Sequence, residues 1–212
     1  MPYTALCKNQ MLAAIKGTNP TTPITHVGAM TASTKALTTP FGVASTDTFT
    51  SSSWGSVANG TPVLVTALGG GGAGLVTGDA GNANEQARVY FVINTAATTF
   101  QLANTPGGAA VDFTSDITGS GTIIILTEIS GGSPAYARKA IAYNAPVDGS
   151  MDDSTNGAVI DIPAGGVVDY ISYHSASTAG TLLAVDKVTQ ETFGAQGTYT
   201  LTDSDLDLNQ GA

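Results

Sequence analysis

Apolar and polar positions alternate along most of this chain in short runs, broken by glycine, proline, asparagine and serine. That is the pattern of short β-strands joined by tight turns. Ile24–Met30 reads as the first strand, followed by Thr46–Ser51, Val63–Leu68, Arg88–Ile93, Thr99–Ala103 and Thr122–Leu126. Strands resume at Ala137–Tyr143, Ala158–Ile162, Val167–His174, Thr181–Val185, Gly197–Thr202 and Asp205–Leu208. Glycine-rich turns such as Leu68–Gly74 and Thr105–Gly108 separate them. One segment departs from this pattern. From Tyr3 to Lys16 the spacing is helical, with Leu6, Cys7, Met11, Leu12 and Ile15 on one stripe and Lys8 and Lys16 off it. Gly17 supplies the expected C-cap and Asn19-Pro20 the stop. A helix this short is not stable alone in water, so its stripe needs a partner surface. Leu6, Met11, Leu12 and Ile15 are therefore the candidate docking and assembly residues.

The strands fall into two sets, which predicts an all-β fold. Residues 1–43 and 129–212 form an outer β-sandwich carrying the N-terminal helix, and residues 44–128 form a small inserted β module. Ile24–Ser33 also aligns without gaps on Val168–Ser177, each a strand running into a small-residue turn. The two segments are expected to pair as related strands of one sheet.

Composition narrows the function classes. A chain of 212 residues, 42% of them hydrophobic, can bury one good core plus a small module. Sixteen acids against seven bases give a net charge of −9, the wrong field for a nucleic-acid partner. Charged residues are only 11% of the chain and glycines number 26, as expected of many short strands and turns rather than an acidic disordered tail. A single cysteine, Cys7, excludes an intrachain disulfide and any cysteine-based zinc site. No apolar run reaches the length of a membrane span, and Met1–Leu12 lacks the pattern of a secretory signal, so the chain is expected to be soluble and made in a cytoplasm. Charge is also unevenly placed. The first 43 residues hold three lysines and no acid, whereas residues 148–212 hold ten acids and one base. The N-terminal arm should therefore meet an acidic surface, on this molecule or on a neighbour.

Few constellations suggest chemistry. Gly69–Gly74 satisfies a G-x-G-x-x-G spacing, but turn residues follow where a dinucleotide site needs a helix, so a flexible turn is expected. Asp203, Asp205 and Asp207 share one face of a terminal strand and could hold Ca²⁺ with loop carbonyls. A solvated face that guards the strand against edge pairing is the favoured reading. Asp148–Asp153 reads as a hairpin loop. His26 and His174 both lie on strands, as partly buried residues or as pH-sensitive interface residues. No serine stands in a G-x-S-x-G elbow, and Asn59-Gly60-Thr61 is a formal sequon without meaning in a chain expected in a cytoplasm. Phe41, Phe49 and Trp54 lie near the start of the middle module and Tyr90, Phe91 and Phe100 inside it, as core residues or as a sugar-stacking surface. On strand alternation at most one of Tyr90 and Phe91 faces outward. No catalytic residue, metal or cofactor is assigned.

The outer segments carry a resemblance. Ile24–Gly28, Glu128–Arg138, Ile162–Ile171, Ser177–Leu182 and Glu191–Leu201, in that order, resemble a family of tailed-phage virion proteins labelled tail-fibre-like or minor tail proteins, found in phages of actinobacteria. Asp47–Thr50, Asn59–Val63, Arg88–Asn94 and Thr99–Leu102 resemble β repeats inserted in other phage surface proteins. The resemblance implies a non-enzymatic virion structural protein with other virion proteins as partners, homo-oligomeric and favouring a trimer. Decoration of the head lattice and binding of host-surface glycans are the alternatives it leaves open.

Overall fold

In a computed structural model the described residues are 4, 6, 23–37, 42–55, 57–68, 75, 88–145, 150–151, 154–155, 157–202 and 206–207. They are overwhelmingly antiparallel β-structure, with helix confined to the 3-10 turn Ala44–Thr46 and to Leu6. The expected helix over Tyr3–Lys16 lies outside the described residues except for Thr4 and Leu6. Met11, Leu12 and Ile15 are therefore not placed, and Leu6 is half-buried.

Among the described residues the strands are β1 His26–Leu37, β2 Gly42–Val43, β3 Thr48–Thr50, β4 Pro62–Leu68, β5 Val89–Ile93, β6 Thr99–Ala103, β7 Gly121–Glu128, β8 Lys139–Ala140, β9 Ser150–Met151, β10 Ala158–Ile162, β11 Val167–His174, β12 Leu182–Thr192, β13 Gly197–Leu201 and β14 Leu206–Asp207. The chain divides into two compact units, one built on Ala32–Thr127 and the other on the described residues of 13–31 and 128–212. The first boundary falls inside β1 rather than at the expected 43/44, and the second at the end of β7. No apolar contrast marks Ala32–Ala36, a run of small and polar residues with one lysine, as the continuation of a strand.

In the first unit the strand order is β7-β4-β5-β6-β3-β2, antiparallel throughout. Every residue of β5 is buried, because the strand sits inside the sheet and both of its faces are covered. The core gathers Phe49, Trp54, Tyr90, Phe100, Phe113, Ile117 and Ile123. The Trp54 and Phe100 rings stack with centroids 3.6 Å apart, and Phe49 stacks on Phe100 at 5.1 Å. The Trp54 indole N–H donates to Thr95 Oγ1 at 2.9 Å, so the one polar atom of the ring is satisfied inside the core.

In the second unit β11 lies between β12 and β1. β1 and β11 pair antiparallel from His26↔His174 to Met30↔Tyr170, so the two similar segments are indeed neighbours in one sheet. β8 pairs with β1 at His26↔Ala140 and Val27↔Lys139. Two short ribbons complete the unit, β10 with β13 and β9 with β14. Its core holds Val27, Ala29, Ile160, Ile162, Val168, Tyr170, Ile171, Tyr173 and Leu183–Val185. The β11–β12 ladder is irregular: Val168 faces Glu191 and Tyr170 faces Lys187, so β12 carries two extra residues in a bulge. The Gln190 side-chain amide donates to Asp169 Oδ1 at 2.6 Å beside it.

Candidate functional site

The densest group of interacting polar side chains lies in the second unit, where the chain leaves β7. Glu128 ends that strand, and Ile129 N–H still donates to Ala29 O at 3.1 Å. Gly131 and Gly132 then adopt φ of +87° and +93°, which a side chain would resist, and the chain reverses. Tyr136 N–H donates to Gly131 O at 2.7 Å, closing the loop and returning Tyr136 and Arg138 to Glu128. Residues 129–138 thus form a strap. Gln196 pins its outer part: Oε1 accepts from Ser133 N–H and Nε2 donates to Pro134 O, both at 3.2 Å.

At the base of the strap, Arg138 grips Glu128 with two parallel bonds of 2.7 Å, Nε to Oε1 and Nη2 to Oε2. This bidentate fork is the geometry in which an arginine–carboxylate pair is strongest. Arg138 Nη1 also donates to Ala176 O at 3.1 Å. The Tyr136 hydroxyl donates to Glu128 Oε1 at 3.0 Å and accepts from Ala29 N–H at 2.9 Å. Gly28 makes this possible. A Cβ there would run into the Tyr136 hydroxyl and would stand 3.0 Å from Ser172 Oγ and 3.3 Å from Arg138 Cγ.

Below this notch lie Ser172, 0% exposed, and His174, 2% exposed, joined by a 2.9 Å bond between Oγ and Nε2. His174 Nδ1 makes no hydrogen bond of normal geometry, although the Gly180 backbone interacts with it weakly. A histidine beside a serine resembles the start of a nucleophilic relay. Both groups are sealed from solvent.

The charges are tuned by this arrangement. Burial pushes His174 down to about 4, and the neighbouring Arg138 cation pushes the same way, outweighing Glu128 and the Gly180 backbone. Burial alone would raise the Glu128 carboxyl, but the hydrogen bonds from Arg138, with the His174 and Arg138 charges and the Tyr136 hydroxyl, hold it below its ordinary value. Burial and then the Glu128 charge raise the Tyr136 phenol, and the bond to Glu128 raises Arg138. The group is a clasp that ties the strap to the sheet.

Other expectations fare differently. Trp54, Phe49, Tyr90, Phe91 and Phe100 are all buried, which removes them as a sugar-stacking surface; Tyr90 and Phe91 are both inside because β5 is covered on both faces. Phe41, Gly69–Gly74, Asp203 and Asp205 lie outside the described residues, as does most of Asp148–Asp153, while Asp207 stands on β14. Among the described residues no three histidine, cysteine, aspartate or glutamate side chains come together as a metal site, and no helix is long and apolar enough to cross a membrane. Asn59 Oδ1 accepts from Thr95 N–H at 3.0 Å, a loop-fixing bond. An open groove of about 360 Å³ in the first unit is lined by Ser33, Lys35, Thr61 and Thr127 with Trp54 and Ile125 at its floor. The clasp itself escapes a reading of the sequence, because Glu128 and Arg138 flank a turn and share no strand or helix spacing. The available signal is a single acid and the Arg138-Lys139 pair on either side of Gly-Gly-Ser-Pro.

No protein-family model, curated protein or solved structure matches this chain.

Proposed function

We propose that this chain is a non-enzymatic structural component of a tailed-phage virion, tail-associated and of the minor tail or tail-fibre-like kind. The supporting observation is one of placement. The five segments that resemble the phage family, Ile24–Gly28, Glu128–Arg138, Ile162–Ile171, Ser177–Leu182 and Glu191–Leu201, all fall within the second unit, and the first two supply Gly28, Glu128, Tyr136 and Arg138 of its clasp. On this reading the second unit is the β-sandwich of that family and the first is an inserted surface module. Its partners are other virion proteins, and it assembles as a homo-oligomer, with a trimer favoured. A polar network committed to holding a loop suits a protein whose task is to persist on a particle.

Peptide mass mapping of separated heads and tails from purified particles tests this. Recovery with tails is the expected result, recovery with heads moves the protein to the decoration reading, and absence from both overturns the virion assignment. The hydroxyl-lined groove with Lys35 supports a second reading, a module that binds host-surface glycans. A glycan array separates the two, since a purely structural protein gives no saccharide signal.

A further inference from the structure

The clasp contains more charge chemistry than a simple anchor needs. Three elements bring four titratable or charged groups to the surroundings of His174: Glu128 at the end of β7, Tyr136 and Arg138 on the strap, and His26 directly across the ladder on β1. From β12 the residue opposite His174 is Leu182, which carries no charge. The contacts run continuously: His174 to Ser172, Ser172 to the Gly28 notch, and that notch to Tyr136 and Arg138, which hold Glu128. As long as His174 is neutral, the one cation and one anion of the clasp match. A proton on His174 adds a second buried cation beside Arg138, with Glu128 as the single counter-charge.

We infer that the strap 129–138 is an acid-released latch: protonation of His174 loosens the grip of Glu128 on Arg138 and Tyr136 and frees the strap from the sheet below. The tip that swings free, Ser130–Ala135, is small, uncharged and already exposed, and its outer tie to Gln196 consists of two 3.2 Å bonds with no ionic component. Opening requires the clasp to yield together with the Ile129 N–H bond to Ala29 O and the Arg138 bond to Ala176 O.

The size of the effect follows from linkage. His174 titrates near 4 when closed and near its ordinary 6.5 once opening exposes it. Opening becomes easier as pH falls through that interval, because only the open form takes up the proton. Between pH 7.5 and 5 the opening equilibrium should rise about 30-fold, a range that lies above the titration of Glu128.

Hydrogen–deuterium exchange of the full chain measures it, with rates corrected for the intrinsic pH dependence. In the wild type, the amides of Ile129 and Tyr136 and that of Ala29 should lose protection about 30-fold over this range, while Val89–Ile93 in the first unit stays constant. His174→Gln, which keeps a partner for Ser172 but cannot take a proton, should show no such loss. A wild type without the change, an equal change in His174→Gln, or a loss of protection shared by the whole second unit would overturn the latch. Should the variant fail to fold, proton NMR of the His174 ring in the wild type decides: a midpoint near 4 supports the latch, and one at 6.5 or above rejects it.

Discussion

Gly28 and Ser172 face each other in the ladder between β1 and β11, and they are also the equivalent positions of the two similar segments Ile24–Ser33 and Val168–Ser177. A residue that is both the partner and the counterpart of another sits on a local two-fold axis. The axis relates the pair His26↔His174 to the pair Met30↔Tyr170. The symmetry is broken where it matters: glycine on one strand admits the Tyr136 hydroxyl, and serine on the other holds His174.

Gly28→Ala should therefore expel Tyr136 from its seat and destabilise the protein by about 2–4 kcal/mol, as an overpacked core site that also loses a hydrogen bond. Tyr136→Phe alone should cost about 1–2 kcal/mol. Because the phenylalanine leaves room for the new methyl group, the double variant should be more stable than the sum of the two losses implies. Chemical denaturation of the four proteins gives the coupling, and strict additivity would contradict the notch.

Arg138 offers a second cycle. Arg138→Met leaves Glu128 half-buried without its cation and should cost about 3 kcal/mol, whereas Arg138→Lys, which keeps the charge but not the fork, should cost about half as much. Adding Glu128→Gln to Arg138→Met should recover stability, since the unpaired charge is then gone. Melting temperatures at neutral pH report all three.

Asp186 carries a testable pH signature of its own. Burial holds its carboxyl above the ordinary value. The folded protein thus keeps a proton that the unfolded chain releases earlier, and the resulting stability is present at low pH and lost as pH rises through the folded value. Asp186→Asn should raise the melting temperature at pH 7, with the gain vanishing near pH 3. Calorimetry across that range checks the sign.

Trp54 is the only tryptophan of the chain and is 0% exposed, which makes it a reporter of the first unit. Its emission should be quenched and blue-shifted in the native protein. Phe100→Ala removes the ring stacked on it and should cost about 3–5 kcal/mol, with a red-shifted spectrum.

Much of the strand pattern could be read along the chain. Thr99–Ala103, Ala158–Ile162 and Val167–His174 match their strands residue for residue, because β-branched and aromatic residues there are bounded by turn formers. The second half of β12 could not be read in the same way. Lys187–Thr192 is mostly exposed and polar, and only its pairing with β11 makes it a strand. β5 misled for the opposite reason, since alternation assumes one wet face and this strand has none. The clasp depends on chain reversal at Gly131 and Gly132 and on an absent side chain at Gly28. None of these is visible as periodicity.

The bulge in β12 bears on how copies of this chain can meet. β12 has a ladder partner on one side only among the described residues, and an unprotected terminal strand would invite a second chain to add itself there. Two surplus residues between Lys187 and Glu191 throw the backbone donors and acceptors out of regular sequence midway along that rim. An approaching strand finds no single matching run of partners along the whole rim. Growth of the sheet from molecule to molecule is thereby discouraged, and any assembly of copies is directed to side-chain surfaces, where symmetry can close it and its size can be finite.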